Sequence, residues 1–181
     1  MRVPPHRAPR TAHALLALAL LAALALSGCR RSGPVAMRYD GTESCELCRM
    51  AVTDPRYGAQ LVTRTGKVRT FDSIECLASY YLRASRGDGE RPRAWVGDFT
   101  RPGTLVRVDS ARFLRTTGPR SSPMGRGLLA VGSDASLQAL QRELGGTTLG
   151  WTDVLALMER EGLPSHAARP AGAAEGGAHA H

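Results

Sequence analysis

The fold of this chain is decided by the stretch GKVRTFDSIECLASYYL, residues 66–82. The glycine and lysine at its start predict a hairpin turn between a strand over residues 58–64, whose residues alternate in polarity, and a return strand over residues 68–71. Asp72 or Ser73 is placed to cap a helix directly after the second strand. The apolar residues of that helix have the spacing of one buried face: Ile74, Leu77, Ala78, Tyr81 and Leu82.

A second stretch, GTTLGWTDV at residues 146–154, shares with residues 66–74 a turn glycine, an aromatic residue, a capping residue and an apolar helix start. We interpret the two stretches as a degenerate internal repeat, each copy being strand, turn, strand and capped helix. The alternative is that any two hairpin–helix units would look this similar. The repeat predicts an α+β fold of two small related ββα(β) units with antiparallel strands and packed helices.

Other strands are expected outside the two similar stretches. Residues 94–99 and 105–108 have the composition of strands, and residues 128–131 form a short, strongly apolar run. Residues 147–151 are expected to return as a strand after a pair of glycines. The second half of the chain is therefore predicted to carry its own set of strands.

Two more helices are predicted in the second half. The first begins at Ser133 or Asp134 and ends at Leu144, where the glycine pair stops it. The second is capped by Thr152 or Asp153 and is stopped by a glycine and a proline about ten residues later. Both begin at residue types whose side chains accept a hydrogen bond from a helix N-terminus.

The N-terminus has the organisation of an export signal. Arginines precede an Ala- and Leu-rich run over residues 12–26, and Leu26-Ser27-Gly28-Cys29 matches a bacterial lipobox. The run is about fifteen residues long, shorter than the roughly twenty needed to cross a bilayer. We therefore expect cleavage after residue 28, lipid attachment at Cys29, and a location on the bacterial cell envelope facing the periplasm or the cell exterior. An ordinary secretory signal with an incidental Cys29 is the alternative.

Roughly 150 residues remain after the signal, enough for one domain of ordinary size or two very small ones. Residues rich in Ala, Gly and Pro close the chain, with His166, His179 and His181 among them, and they show no periodicity. Such a tail could collect a divalent metal, but ordering it costs entropy. The expected organisation is a signal peptide at 1–28, a lipid anchor and linker at 29–44, a first unit at 45–93, a second unit at 94–163 and a disordered tail at 164–181.

The cysteines indicate the chemistry. Once Cys29 is lipidated, Cys45, Cys48 and Cys76 remain, an odd number in a compartment that favours disulfides. Cys45 and Cys48 are three residues apart, so a turn of the backbone brings both to one ion, and Met50 adds a neutral thioether. Soft sulfur ligands select Cu(I) over hard cations. The cluster therefore predicts a copper site.

Other uses of the two clustered cysteines remain open. A Cys45–Cys48 disulfide could take part in thiol exchange, which would make the protein an exported thiol-disulfide oxidoreductase or a redox partner, or it could be merely structural. Zinc is disfavoured because no second pair has zinc-finger spacing. Arg49 stands where haem attachment requires histidine.

Two further sulfur residues are candidates. Cys76 lies about 200° around the predicted helix from Ile74, away from the main apolar stripe. It is either a small buried residue of another layer, or a third thiolate ligand or redox partner. Met124 lies on a predicted turn between a proline and a glycine, where packing demands are low, so it is either a filler residue or a ligand.

Composition and charge exclude several functions. The formal charge is +8, but arginine almost entirely replaces lysine and an exported lipoprotein rarely meets DNA, so we expect no nucleic-acid partner. The histidines of the mature chain lie in or near the tail, and no serine or cysteine has a plausible base beside it in sequence. We therefore expect no enzyme activity.

These motifs together resemble a known family. They are Cys45-x-x-Cys48-x-Met50, then Phe71-Asp72-Ser73-Ile74-Glu75-Cys76-Leu77, then Ser122-Pro123-Met124-Gly125-x-Gly127-Leu128-Leu129-Ala130, all behind a lipobox. The chain resembles the NosL family of nitrous oxide reductase accessory lipoproteins over about residues 29–161. In that family a glycine usually precedes the methionine of the first motif, and here it is Arg49, which places a bulky cation beside the site.

The resemblance implies a function and its partners. It implies a membrane-anchored Cu(I) chaperone, whose ββαβ units resemble part of organomercurial lyase. Its recipient would be an apo copper enzyme, nitrous oxide reductase, and it would work with an ABC-type maturation complex. Carried over to this sequence, the family's sulfur motif falls on Cys45, Cys48 and Met50, and its Pro-Met-Gly motif falls on Met124.

Overall fold

Two antiparallel sheets and three helices form the described part of the chain, which is residues 33–85, 92–116 and 122–162 of a computed structural model. The predicted signal peptide, the predicted lipid attachment site Cys29 and the tail histidines lie outside these residues. Among the residues described, no helix has both the length and the apolar character needed to cross a bilayer.

The first sheet has four strands in the order β2-β1-β3-β4. A tight turn joins β1 to β2, and helix α1 connects β2 to β3 on the other side of β1. The elements are β1 (Ala59–Val62), β2 (Val68–Phe71), α1 (Ile74–Ala84), β3 (Arg93–Gly97) and β4 (Leu105–Arg107).

The second sheet has three strands in the order β6-β5-β7, and helix α2 connects β6 to β7. The last helix, α3, follows β7 almost at once. The elements are β5 (Arg112–Arg115), β6 (Leu128–Val131), α2 (Asp134–Leu144), β7 (Thr147–Leu149) and α3 (Trp151–Glu161).

Each sheet is therefore built on one ββαβ unit with its first strand in the centre, which confirms the predicted α+β fold of two related units. The residues that correspond in the two units are not the ones that the sequence predicts. The sequence aligns residues 66–74 with residues 146–154. By strand pairing, however, β2, which lies within residues 66–74, is equivalent to β6, whereas β7, which lies within residues 146–154, is the third strand of its unit. A short strand followed by a capped helix occurs at three places among the described residues, and only strand pairing tells them apart.

The helix caps explain where the helices begin. The Ser73 hydroxyl accepts a hydrogen bond from the Cys76 N–H at 3.2 Å, and the Ser133 hydroxyl accepts one from the Ser136 N–H at 3.1 Å. The predicted start of the last helix was wrong, because Gly150 is its N-cap residue and Trp151 is already helical. Asp153 lies inside the helix, where its carboxylate accepts from the Gly150 N–H at 2.8 Å.

Strands β3 and β4 pair within the first sheet, although residues 94–107 were assigned by sequence to the second unit. The loop after β3 joins the two sheets. The Asp98 carboxylate, 1% exposed, accepts hydrogen bonds from the Gly132 N–H and from the Arg101 guanidinium. The Phe99 N–H donates to the Ala130 carbonyl at 2.8 Å. One core then runs through both units, with Phe71 and Leu77 beside Phe113 and Leu128.

Part of the segment predicted to be a linker packs on the first sheet. The Val35 N–H donates to the Gln60 side-chain oxygen at 2.9 Å. Met37 and Tyr39 lie over Gly58, where an added Cβ would come within 2.8 Å of each side chain. Residues 35–39 are therefore held by the domain and do not act as a free spacer.

Candidate metal centre

The two cysteines of the Cys-x-x-Cys motif lie on a closed loop before β1. Ser44 and Ala51 form an isolated antiparallel bridge, and the Cys45 N–H donates to the Met50 carbonyl at 2.8 Å. Within the loop, the Arg49 N–H donates to the Cys45 carbonyl at 3.1 Å. Arg49 has φ of +66°, a left-handed conformation that favours glycine. The loop therefore turns back on itself directly after Cys48.

This loop is docked on the edge strand β2. The Glu46 N–H donates to the Thr70 carbonyl at 2.8 Å, and the Glu46 carboxylate forms an ion pair with Arg69 at 2.8 Å. These contacts place the loop beside the end of β2, where the chain enters α1. Both cysteines are thereby brought next to the residues that begin this helix.

The start of α1 supplies the other two groups. Because Ser73 caps the helix, the carboxylate of Asp72 is free to face the loop, and Cys76 lies one turn further along the same helix start. Cys76 is fully buried. The sequence predicts that it lies off the apolar stripe of the helix, and the cysteine loop covers that side of the helix. A helix N-terminus also favours negative charge on nearby sulfur.

Cys45, Cys48, Asp72 and Cys76 form one cluster, in which three sulfurs and a carboxylate oxygen all lie within 4.8 Å of one another. The Cys48 thiol donates a hydrogen bond to the Asp72 carboxylate at 3.5 Å. Two sulfurs on one ion are at most about 4.6 Å apart when each metal–sulfur bond is about 2.3 Å. The cluster is therefore close to the size that a single thiophilic ion requires. All three cysteines are free.

The pKa values of the three thiols are shifted in opposite directions. Interaction with the Cys48 and Cys76 side chains lowers the pKa of Cys45. The same interaction with Cys45 raises the pKa of Cys48 and that of Cys76. Burial, and then the negative charge on Cys45, raises the pKa of Asp72 to about 7. Binding a cation here would release the remaining protons, because a metal ligand must be deprotonated.

The cluster is accessible from one side. Cys45 and Cys76 are fully buried and Asp72 is nearly so, whereas Cys48 is partly exposed. An ion held here would be screened from bulk water by the core, with Cys48 as the ligand nearest to solvent.

The two methionines predicted as ligands have contrasting positions. Met50 is 46% exposed, two residues after Cys48 on the surface of the loop. Met124 is fully buried in the same core cluster as Cys45 and Cys76. Their role as ligands remains a prediction.

Sequence reasoning missed Asp72 as part of the site and left Cys76 undecided. Asp72 was considered only as a helix cap, and Ser73 takes that role. The pattern Asp-Ser-x-x-Cys carried the missing signal. When the serine caps, the residue before it and the residue three after it both lie at the helix N-terminus.

The fold and the cluster define an α+β protein in which three cysteines and a carboxylate, a set that could hold a metal ion, converge at the start of the first helix. The profile of the NosL family matches residues 36–158, and the chain belongs to that family. The crystal structure of the copper chaperone NosL from Shewanella denitrificans has the same fold, with a TM-score of 0.56 and 23% identity over 67% of this chain and 96% of the other. No protein of curated function gives a significant match.

Proposed function

We propose that the protein is a copper chaperone that binds one Cu(I) ion at the Cys45, Cys48, Asp72 and Cys76 cluster and passes it to a recipient protein. The observation that carries this proposal is the convergence of three free thiols and one carboxylate within 4.8 Å. Membership of the NosL family and the fold shared with a copper chaperone support it.

The donor set favours Cu(I) over other ions. Three thiolates are soft ligands, which suit Cu(I) and disfavour magnesium or calcium. Zinc would also accept sulfur, but structural zinc sites usually have four Cys or His ligands, and the fourth group here is a carboxylate. Met50 or Met124 could add a neutral thioether to this set, as the sequence predicts.

Release of the ion would begin at Cys48. This cysteine is the most exposed of the three, so a ligand of the recipient can reach the metal there while the buried sulfurs still hold it. Transfer by ligand exchange keeps copper from being free at any stage. Such a protein needs no catalytic residues of its own.

The proposal extends to location and partners. The lipobox supports a mature protein tethered to the cell envelope through a lipid on Cys29. The resemblance of its motifs supports the copper centre of nitrous oxide reductase as the destination, with an ABC-type maturation complex as a further partner.

A Cu(I) titration tests the central claim. The mature protein, purified in detergent and fully reduced under anaerobic conditions, is titrated with Cu(I) against a competing chelator. We expect one tightly held equivalent, and Cys48→Ser is expected to abolish it. Ser136→Ala, at the equivalent of Cys76 in the second unit, is the matched control and should bind as the wild type does. Absence of Cu(I) uptake by the wild type would refute the proposal.

The same preparation distinguishes a copper chaperone from a thiol-disulfide oxidoreductase. The lowered pKa of Cys45 would also favour thiol exchange. Such an activity would appear as turnover of a mixed disulfide with a measurable exchange potential. It would require Cys45 and Cys48 and would tolerate Cys76→Ser. The complete burial of Cys45 disfavours it, because an attacking thiolate must reach its substrate.

A further inference from the structure

A buried carboxyl group, that of Glu75, adjoins the cluster without belonging to it. Glu75 is fully buried near the start of α1, one residue before Cys76. The Ser122 hydroxyl donates to its Oε1 atom, and burial raises the pKa of the carboxyl group although Ser122 and the Arg126 backbone lower it. Glu75 therefore connects the helix of the first unit to residues 122–126 of the second.

Those residues form a tight turn that carries Met124. The Gly125 N–H donates to the Ser122 carbonyl at 2.8 Å, and the Gly127 N–H donates to the Ser122 hydroxyl at 3.1 Å. Gly127 has φ of +69°, and an added Cβ would lie 1.9 Å from the Thr116 carbonyl oxygen. The turn is thus fixed to the end of β5 on one side and to Glu75 on the other.

A carboxyl group at this place is costly for the fold. Burying it costs free energy that its hydrogen bonds only partly offset, and apolar replacements of buried polar pairs are often neutral or stabilising. Stability alone does not explain a carboxyl here. The hydrogen bond between Ser122 and Glu75 instead fixes a position. It sets the distance between the Met124 turn and the helix residue that precedes Cys76.

We propose that Glu75 is a positioning residue that, through Ser122, holds the Met124 turn against the start of α1, so that the Met124 thioether completes the Cu(I) site beside Cys45 and Cys76. This inference rests on the proposed Cu(I) function. It requires Met124 to approach the ion from within the core, opposite the exposed Cys48.

The test uses selenomethionine in place of methionine and a Met50→Leu background, which removes the exposed thioether. Copper K-edge absorption then reports whether selenium is a direct neighbour of Cu(I), and chelator competition gives the affinity. We expect one copper–selenium contact, lost in Met124→Leu. Glu75→Gln, which keeps the shape and hydrogen-bonding groups, should retain that contact. Glu75→Leu should lose it and bind Cu(I) about 10- to 100-fold more weakly, as expected when an outer-shell partner is removed.

Asp98→Ala is the matched control, because it removes another nearly fully buried carboxylate that joins the two sheets. It should lower stability yet keep the copper–selenium contact. If Glu75→Leu does not fold, Ser122→Ala removes only the hydroxyl that donates to Glu75 and should weaken the same contact.

The outcomes separate the two proposals. Wild-type protein that takes up no Cu(I) refutes the chaperone function itself. Cu(I) uptake without a selenium neighbour in the Met50→Leu background, or a selenium neighbour that survives in both Glu75→Leu and Ser122→Ala, leaves the chaperone function standing and overturns the role of Glu75.

Discussion

The two ββαβ units share a topology and a cap, but among the described residues the candidate metal-binding cluster lies in the first unit alone. Ser73 and Ser133 cap equivalent helices with the same hydrogen bond to the third helical residue. The residues around these serines differ. Where the first unit has Asp72 and Cys76, the second has a glycine and Ser136. The fold supplies the place for a site, and the side chains decide whether one is present.

The glycine of the second unit serves a different purpose. The Gly132 N–H donates to Asp98, and an added Cβ would lie 2.7 Å from the Arg101 guanidinium. A carboxylate at position 132 could not fit this joint between the sheets. The position that carries the candidate ligand Asp72 in the first unit is therefore occupied, in the second unit, by a glycine that lets the two sheets come together.

The two helices also differ in burial. Six residues of α1 are buried, whereas in α2 only Leu140 is. Helix α1 packs against its own sheet and also against α3, so its N-terminus lies inside the protein. Charged sulfur at such a start is poorly solvated and gains more from a bound cation than it would at the exposed start of α2.

Exchanging the residues that distinguish the two units should have the largest effect. Cys76→Ser gives the first unit the residue found in the second and removes one thiolate from the cluster. We expect the Cu(I) affinity to fall by more than the roughly 100-fold seen for loss of an outer-shell partner. Chelator competition measures the change, and Ser136→Ala should leave the affinity unaltered. Equal affinities for Cys76→Ser and wild type would show that Cys76 is only a core residue.

Removing the shared caps should have a smaller and unequal effect. Ser73→Ala is expected to lower the free energy of unfolding by about 2 kcal/mol and Ser133→Ala by about 1 kcal/mol. The difference follows from burial, since Ser73 is fully buried and its loss leaves the Cys76 N–H without an acceptor away from water. Urea denaturation of the apoprotein compares the two. Equal losses would mean that the burial of α1 does not add to the cost.

The smallest effect is expected when the difference between the two turns that carry methionine is removed by a backbone substitution. In the Met124 turn the two residues with a left-handed backbone are glycines, Gly125 and Gly127. In the cysteine loop the residue with a left-handed backbone is Arg49, at φ of +66°. Arg49→Gly should relieve a strain of about 1–2 kcal/mol, partly offset by the greater freedom of glycine in the unfolded chain. A net gain of about 0.5 kcal/mol in the free energy of unfolding is expected from urea denaturation. A loss of stability would show that the Arg49 side chain contributes contacts that outweigh the strain.

Local features of the fold were predictable from the sequence. The apolar run at residues 128–131 and the helix ending at Leu144 are where the pattern predicts them, because residue type and spacing determine both. Strand β5 was not predicted, since its sequence RFLR has only two apolar residues between arginines. It is nevertheless the central strand of its sheet. Its pairing with β6 and β7 stabilises it, and such non-local pairing leaves little trace in a short sequence.

The site was predictable to the extent that its residues are close in sequence. Cys45 and Cys48 share a motif, which predicts both as ligands, and the structure brings them into one cluster. Asp72 and Cys76 join them only because the cysteine loop docks on β2, through the Glu46 N–H and the Thr70 carbonyl. No sequence pattern specifies that contact, which links residues on separate elements. The resemblance to the family likewise pointed to the methionines and not to this carboxylate.

That same contact has a consequence for solubility. Strand β2 is the outermost strand of the first sheet, and its unpaired backbone could otherwise recruit a strand from another molecule. By occupying the Thr70 carbonyl, the loop with Cys45 and Cys48 covers part of that border. Damage to the loop would then do more than remove two cysteines, because it would expose an unpaired strand edge on which another molecule could add a strand.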